Sequence, residues 1–318
     1  MTRFFLLLPQ IKIHNANAMS SPYTIGFPAM TAWLGAVHAL QRQIQQAEFA
    51  DVQLTSVAVS CHYHEVRTYK GNNDFSNSII HFRSPLVFDE KYKDKNFGKN
   101  FKSKFDAPLT GEAFIEEARC HLEVSLLIEY QGLDSDYLDQ FKQTVDSQLL
   151  RMKLAGGDVL SAKPAELLVV DEDNDQEIKQ ALRKLMLGHV LIERRDLMIA
   201  SMKDGKDALE ALLDHLKIMH RSTQDEDGNV TWTTGRKTAG WLVPIATGFQ
   251  GISELGNAKN QRDTETQHRF AESVVTLGEF VMPYRINNLD DMLWQYHVDL
   301  EQNLYLCQTL STSNTFGD

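Results

Sequence analysis

Residues 119–130 constrain the fold more than any other stretch. Leu122, Val124, Leu126, Ile128 and Tyr130 alternate there with His121, Glu123 and Ser125. A repeat of two sustained over this length requires an extended strand with one apolar and one polar face. Residues 52–65 carry a similar alternation, which places Val57, Val59, Cys61 and Tyr63 on one face and Ser60, His62 and His64 on the other. A third strand is expected over residues 4–13, where the run Phe4-Phe5-Leu6-Leu7-Leu8 gives way, after Pro9, to Ile11 and Ile13. Two helices separate these strands. Met30, Trp33, Leu34, Val37, Leu40 and Ile44 fall at helical spacing within residues 29–46, and Leu138, Phe141, Val145, Leu149 and Met152 do so within residues 135–152. Asp134 or Ser135 can cap the second helix, and Gly156-Gly157 suits its stop and a tight return. Leu160 and residues 167–170 read as a last strand.

The first 170 residues therefore read strand, helix, strand, insertion, strand, helix, glycine loop, strand. That order is βαββαβ, the split unit of ferredoxin-like folds. Such a sheet carries its helices on one face, and in RNA-binding members (the RRM type) the open face and its loops meet single-stranded RNA. The expected class is α+β. A ferredoxin-like module over residues 1–170 holds a thumb-like insertion at about 66–117, and a mixed α/β part over 171–318 packs on it. In that second part, helices are expected at 175–187 and 207–220, and strands at 189–193 and 240–249, with Pro244 marking an edge or bend. An acidic, polar loop is expected at 222–229, and two more helices near 268–282 and 289–298.

Composition sets outer bounds. With 318 residues, 42% of them hydrophobic, the chain can bury a core without disulfides. Cys61, Cys120 and Cys307 form no CxxC pair, which favours buried thiols in a reducing compartment. The apolar start is followed at once by Pro9, Lys12 and His14, so it reads as a strand and not as a signal core. No stretch approaches the ~20 apolar residues of a membrane span. A cytoplasmic protein is expected.

The net charge of −11 argues against nonspecific gripping of nucleic acid. The charge is unevenly spread, however. Residues 67–104 hold nine basic side chains (Arg67, Lys70, Arg83, Lys91, Lys93, Lys95, Lys99, Lys102 and Lys104) against the four acids Asp74, Asp89, Glu90 and Asp94. That segment is +5, and the rest of the chain is −16. Its lysines interleave with Tyr92, Phe97, Phe101 and Phe105, a mixture that can neutralise phosphates and stack on bases, or simply form a solvated loop. Asn15, Asn17, Ser20 and Ser21 offer neutral donors and acceptors for base edges and 2′-hydroxyls; the same residues are also common in turns. Gly156 and Gly157 either let an RNA backbone approach the main chain or only cap a helix. His62, His64, His121 and Glu123 would converge if their strands paired, which would suit an acid–base or metal site. Histidines on an open face serve equally for stacking. No Walker loop, zinc knuckle or GxSxG elbow is present.

Several ordered strings resemble one family. Leu6-Leu7-Leu8-Pro9, Asn15-Ala16-Asn17-Ala18-Met19-Ser20-Ser21-Pro22, Gly26-Phe27-Pro28 and Val37-His38-Ala39-Leu40 resemble the opening of the second Csy protein of type I-F CRISPR systems. So do Ala118-Arg119-Cys120-His121-Leu122-Glu123-Val124, Arg151-Met152-Lys153-Leu154-Ala155-Gly156-Gly157, Gly240-Trp241-Leu242-Val243-Pro244-Ile245, Arg262-Asp263-Thr264-Glu265-Thr266 and Arg269-Phe270-Ala271-Glu272. The family often has arginine where this chain has Gln10. The resemblance implies a RAMP-type ferredoxin-like fold. It implies a non-catalytic subunit that holds the 5′ handle of the crRNA together with the large Csy subunit and touches the first backbone Csy subunit. Target DNA near the PAM end is a further expected partner, and neither cofactor nor metal is expected. Arg119 and His121 join Asn15, Asn17, Ser20, Ser21, Arg67, the insertion lysines, Gly156 and Gly157 as expected RNA contacts. The alternatives are a RAMP-like endoribonuclease using His62, His64 and His121, or a purely structural adaptor. The isolated chain is expected to be incompletely stable without its partners.

Overall fold

The computed structural model describes residues 1–82, 117–259, 261, 263 and 265–311. The insertion lysines Lys91, Lys93, Lys95, Lys99, Lys102 and Lys104 lie outside the described residues, as do Arg262 and Thr264.

Strand β1 (Thr2–Asn17) is followed by helix α1 (Met30–Gln46) and strand β2 (Gln53–Val66). Strand β3 (Glu117–Gln131), helix α2 (Leu138–Leu149), and strands β4 (Gly157–Ser161) and β5 (Glu166–Asp171) complete the first part. The sheet runs β2–β3–β1, and β4 and β5 share the far edge of β1, all antiparallel. Both helices cover one face. Leu6, Leu8, Ile11 and Ile13 of β1 and Val124, Leu126 and Ile128 of β3 meet Trp33, Val37 and Leu40 of α1 and Phe141 and Val145 of α2. The apolar positions expected from helical spacing in α1, Met30 through Ile44, are all buried.

The opposite face divides in two. Its lower half, formed by Phe5 and Leu7 of β1, Ala58 of β2 and Leu127 of β3, is sealed by α3 (Asp175–Lys184) together with Ile286, Leu289, Met292 and Leu293. Arg3 locks this half: its guanidinium donates to Glu129 at 2.7 and 2.9 Å, to Glu172 at 2.9 Å and to Asp290 at 2.7 Å. The upper half carries Lys12, His14, His121 and Glu123, and no named helix among the described residues covers it.

Later strands close a ring. After β6 (His189–Glu193) come helices α4 (Arg195–Lys203) and α5 (Ala208–Leu216), then a separate hairpin of β7 (Met219–Gln224) and β8 (Val230–Gly235). Strands β9 (Trp241–Gly251), β10 (Ala271–Val281), β11 (Trp294–Asp299) and β12 (Leu304–Thr309) follow. The pairing order β6–β10–β9–β12–β11 returns to the free edge of β2, where Trp294 faces Val57, and His189 and Val190 face Cys61 and Ser60. Trp294 secures the closure by donating its indole N–H to the Leu191 carbonyl at 2.9 Å.

Three expectations for this part are corrected. The helix expected near 268–282 is strand β10, and the one near 289–298 is a short 3₁₀ turn (Leu289–Asp291) followed by β11. The spacing of Val274, Val275, Leu277, Phe280 and Val281 mimics a helix, but the β-branched Val274-Val275-Thr276 run suits a strand. Gly278 packs closely in that strand: a Cβ there would lie 3.0 Å from the Leu191 Cδ1 and 3.2 Å from the Ile245 Cγ2, and those side chains would have to shift to admit it. The acidic loop expected at 222–229 is the end of the β7–β8 hairpin, and α4 had no counterpart in the reading. Pro244 sits where β9 pairs with β10 alone, before β12 joins at Gly248.

Candidate nucleic-acid interface

Two bulges divide the site-bearing face. In β1 the register slips between Leu8 and Ile11, and Gln10 adopts a left-handed φ of 49°. In β2 it slips between Cys61 and Tyr63. Both bulges are tied to Ser125 of the central strand. The Gln10 backbone N–H donates to the Ser125 hydroxyl at 3.0 Å, and His62 Nε2 lies 2.7 Å from the same oxygen. A bulge adds one unpaired residue and flips the alternation beyond it.

That flip corrects the histidine arrangement. Cys61 faces Val124, whereas Tyr63 faces Glu123 and His64 faces Leu122. His62 therefore stays on the site face while His64 turns to the helix side, against Phe27 at 6.0 Å between ring centroids. The convergence of all four of His62, His64, His121 and Glu123 is lost, with His64 on the helix side. Among the described residues, no group of three or more histidine, cysteine or acidic side chains is placed to hold a metal ion.

A different set does gather above the bulges. A second irregularity in β1, between Ile13 and Ala16, puts Asn15 at φ 62°. This turns the Asn15 N–H onto His121 Nδ1 (3.3 Å), its side-chain oxygen onto Arg67 Nη1 (2.8 Å) and its carbonyl onto Arg119 Nη1 (3.3 Å). Arg119 also forms a close ion pair with Glu117. His14 stacks on His121 with centroids 4.4 Å apart and planes 19° from parallel. Asn15 N–H occupies Nδ1, so the neutral His121 carries its proton on Nε2. Partial burial, then the neighbouring His14 and Arg67, hold the His121 pKa below its ordinary value, against a smaller upward pull from Glu65. His62 is lowered chiefly by burial, with His189 and Lys163 adding to the effect and Glu123 opposing it. Lys12, 4.0 Å from Glu123, and the half-exposed Tyr63 border the same surface.

The glycine pair serves a turn and not a helix cap. Leu154 and Gly157 pair across Ala155 (φ 48°) and Gly156 (φ 75°). Two consecutive left-handed residues make a type I′ hairpin turn. A Cβ on Gly156 would reach within 3.7 Å of Arg119 Nη1 and 3.9 Å of Asn17, so this turn abuts the cluster. Gly157 lets β4 pack on β1: a Cβ there would fall 2.7 Å from both Ala16 N and His14 O. The expected 15–21 loop is also more ordered than its composition suggests. Asn15 and Asn17 end β1, the latter accepting from Met19 N–H at 2.9 Å. Residues 19–21 pair with 24–25, and the hydroxyls of Ser20 and the buried Ser21 are engaged by Thr24 at 3.0 and 2.6 Å. The structure thus brings Asn15, Asn17, Arg67, Arg119, His121 and Gly156 together, and uses Ser20, Ser21 and Gly157 to hold the surrounding backbone. His14 and Tyr63, which carry no motif, reach this face only because of the bulges.

The match of the CRISPR-associated Cas_Csy2 family model spans residues 6–307. This chain belongs to the Csy2 family. It is also 33% identical to the "CRISPR-associated protein Csy2" of Pseudomonas aeruginosa (strain UCBPP-PA14), over 96% of this chain and 94% of that protein. Family membership therefore extends across both the site-bearing sheet and the ring of later strands. Every residue of the Asn15 cluster lies within the Csy2 match.

Proposed function

We propose that this chain is a non-catalytic RNA-binding subunit of the type I-F CRISPR (Csy) surveillance complex, holding the 5′ handle of the crRNA together with the large Csy subunit. The observation that carries the reading is the convergence of Asn15, Arg67, Arg119 and the stacked His14–His121 pair on the uncovered end of one sheet face. Guanidinium groups suit phosphates, imidazole faces suit bases, and asparagine suits base edges and 2′-hydroxyls. The strand order β2–β3–β1–β4/β5, with both helices on the other face, supports assigning the module to the ferredoxin-like RAMP type. We assign residues 1–170 to it, with residues 66–117 as its thumb and 171–318 as the packed second part. The first backbone Csy subunit and target DNA near the PAM end are its further partners. The acidic body keeps binding selective by disfavouring loose contacts with nucleic acid. Against a nuclease stands the parting of His62 from His64 onto opposite faces.

The test is co-expression with the neighbouring Csy subunits and a guide RNA. In the Arg67→Glu, Arg119→Glu double variant, guide occupancy per assembled complex should fall at least tenfold. Crosslinks in the wild type should join the 5′ handle to residues 14–17 or 119–121. Unchanged occupancy without such crosslinks would reduce the chain to an adaptor. Guide cleavage that disappears on His121→Ala would make it an enzyme.

A further inference from the structure

The hairpin of β7 and β8 is a separate two-stranded sheet, paired from Met219–Gly235 out to Gln224–Val230. Every residue from His220 to Gly235 is exposed. A lone hairpin that buries neither face is marginal in water, yet this one is firmly rooted. Asp214 of α5 binds Lys206 of the α4–α5 connection closely, and Lys217 at 2.8 Å and Lys237 at 2.7 Å from the segments that lead into and out of the arm. The end of the arm is also ordered, with the Asn229 N–H on Asp225 Oδ1 at 2.7 Å and Gly228 at φ 83°.

The two faces of the hairpin differ. Arg221, Thr223, Thr231 and Thr233 share one. Val230 and Trp232, 55% and 68% exposed, share the other with Ser222 and Gln224. The tip is Asp225-Glu226-Asp227. We propose that this hairpin is a docking arm for a second protein, whose receiving surface is an apolar cleft rimmed by lysine or arginine. Trp232 and Val230 fill the cleft, and the acidic tip meets its basic rim. The same tip repels a nucleic-acid backbone. A second copy of this chain carries the same net charge of −11, so like-charge repulsion disfavours self-pairing through an acidic tip.

The proposal rests on the chain's place in a Csy complex but not on its RNA contact, and the two are read separately: subunit ratio reports the arm, guide occupancy the RNA site. The complex is co-expressed with Trp232→Ser or with the combined Asp225→Lys, Glu226→Lys and Asp227→Lys changes. These side chains are exposed, so the core is left intact. One protein subunit should be retained about tenfold less well in each, and added salt should lower its retention in the wild type. Amides of 219–235 should exchange at least tenfold more slowly in the wild-type complex than in the isolated chain. Full subunit retention in both variants, equal exchange in both states, or crosslinks from the hairpin to nucleic acid or to a second copy of this chain would each overturn it.

Discussion

The two halves of the site-bearing face share the same three strands and have opposite characters. Below the bulges, Phe5, Leu7, Ala58 and Leu127 are sealed under α3. Above them, Lys12, His14, Tyr63, His121 and Glu123 take the equivalent places. The change is visible along β3, where buried and half-buried residues alternate from Glu117 to Glu123 and every residue from Val124 to Ile128 is buried. Ser125 stands at the border, holding one bulge from each flanking strand. If the proposed function holds, stability and recognition are separated along the strands and not between faces, and the two properties should respond to different substitutions.

The sharpest contrast pairs two side chains on one face of β3. Leu127→Ala empties a fully buried site and should cost about 2–5 kcal/mol in denaturant unfolding. His121→Ala removes the acceptor of the Asn15 N–H and the ring stacked on His14, so it should cost about 1 kcal/mol, less than Leu127→Ala, while lowering guide occupancy, since base stacking contributes about 1–3 kcal/mol. If both variants lose stability equally, the division is wrong. Next in size, Arg3→Ala strips the partner from Glu129. With Glu172 and Asp290 still partly in water, the loss should be near the lower end for a broken buried pair, about 3 kcal/mol, without altering RNA binding per folded molecule. Ser125→Ala leaves the Gln10 N–H without its acceptor and should cost about 1–2 kcal/mol. It should also weaken guide retention, because both bulges that aim the upper half depend on that hydroxyl. An effect on stability alone would show that the bulges hold without it.

The smallest expected effect is on pH dependence. The folded pKa values of His62 and His121 are depressed. Below about pH 6.5, where histidine ordinarily titrates, the unfolded chain binds protons before the folded one does. Stability should therefore decline as pH falls from about 6.5 through the depressed folded values, and be flat in this respect above it. Replacing both residues with asparagine should flatten the slope between pH 7 and 5; an unchanged slope would assign it to other groups.

The sequence pattern made some of this legible and hid the rest for identifiable reasons. Helix α1 was readable because Met30, Trp33, Leu34, Val37, Leu40 and Ile44 all face one core. Strand β3 was readable in its upper half because one of its faces stays polar. The faces of His64 and Tyr63 were misread because a bulge is one extra residue with no composition of its own, and period two applied across it puts every later side chain on the wrong side. Arg67, Arg119 and His121 were each named from the sequence, but what joins them is Asn15, through its N–H, carbonyl and side-chain oxygen, in a left-handed conformation that asparagine tolerates and sequence spacing does not reveal. Strand β10 was hidden because apolar residues on both of its faces leave no clean alternation to distinguish it from a helix.

Strand β2 joins the two parts of the molecule, and that has a consequence for biosynthesis. One of its edges pairs with β3, but the other waits for His189, Val190 and Trp294. While the chain is still emerging from the ribosome, the strand that carries His62 and Tyr63 presents a bare row of backbone donors and acceptors, the kind of edge that recruits stray strands. Only after Trp294 itself has been made can it dock opposite Val57 and complete the cover. A nascent chain halted before Trp294 would hold the Asn15 cluster and still be prone to misassembly, because the edge of β2 would lack its last cover.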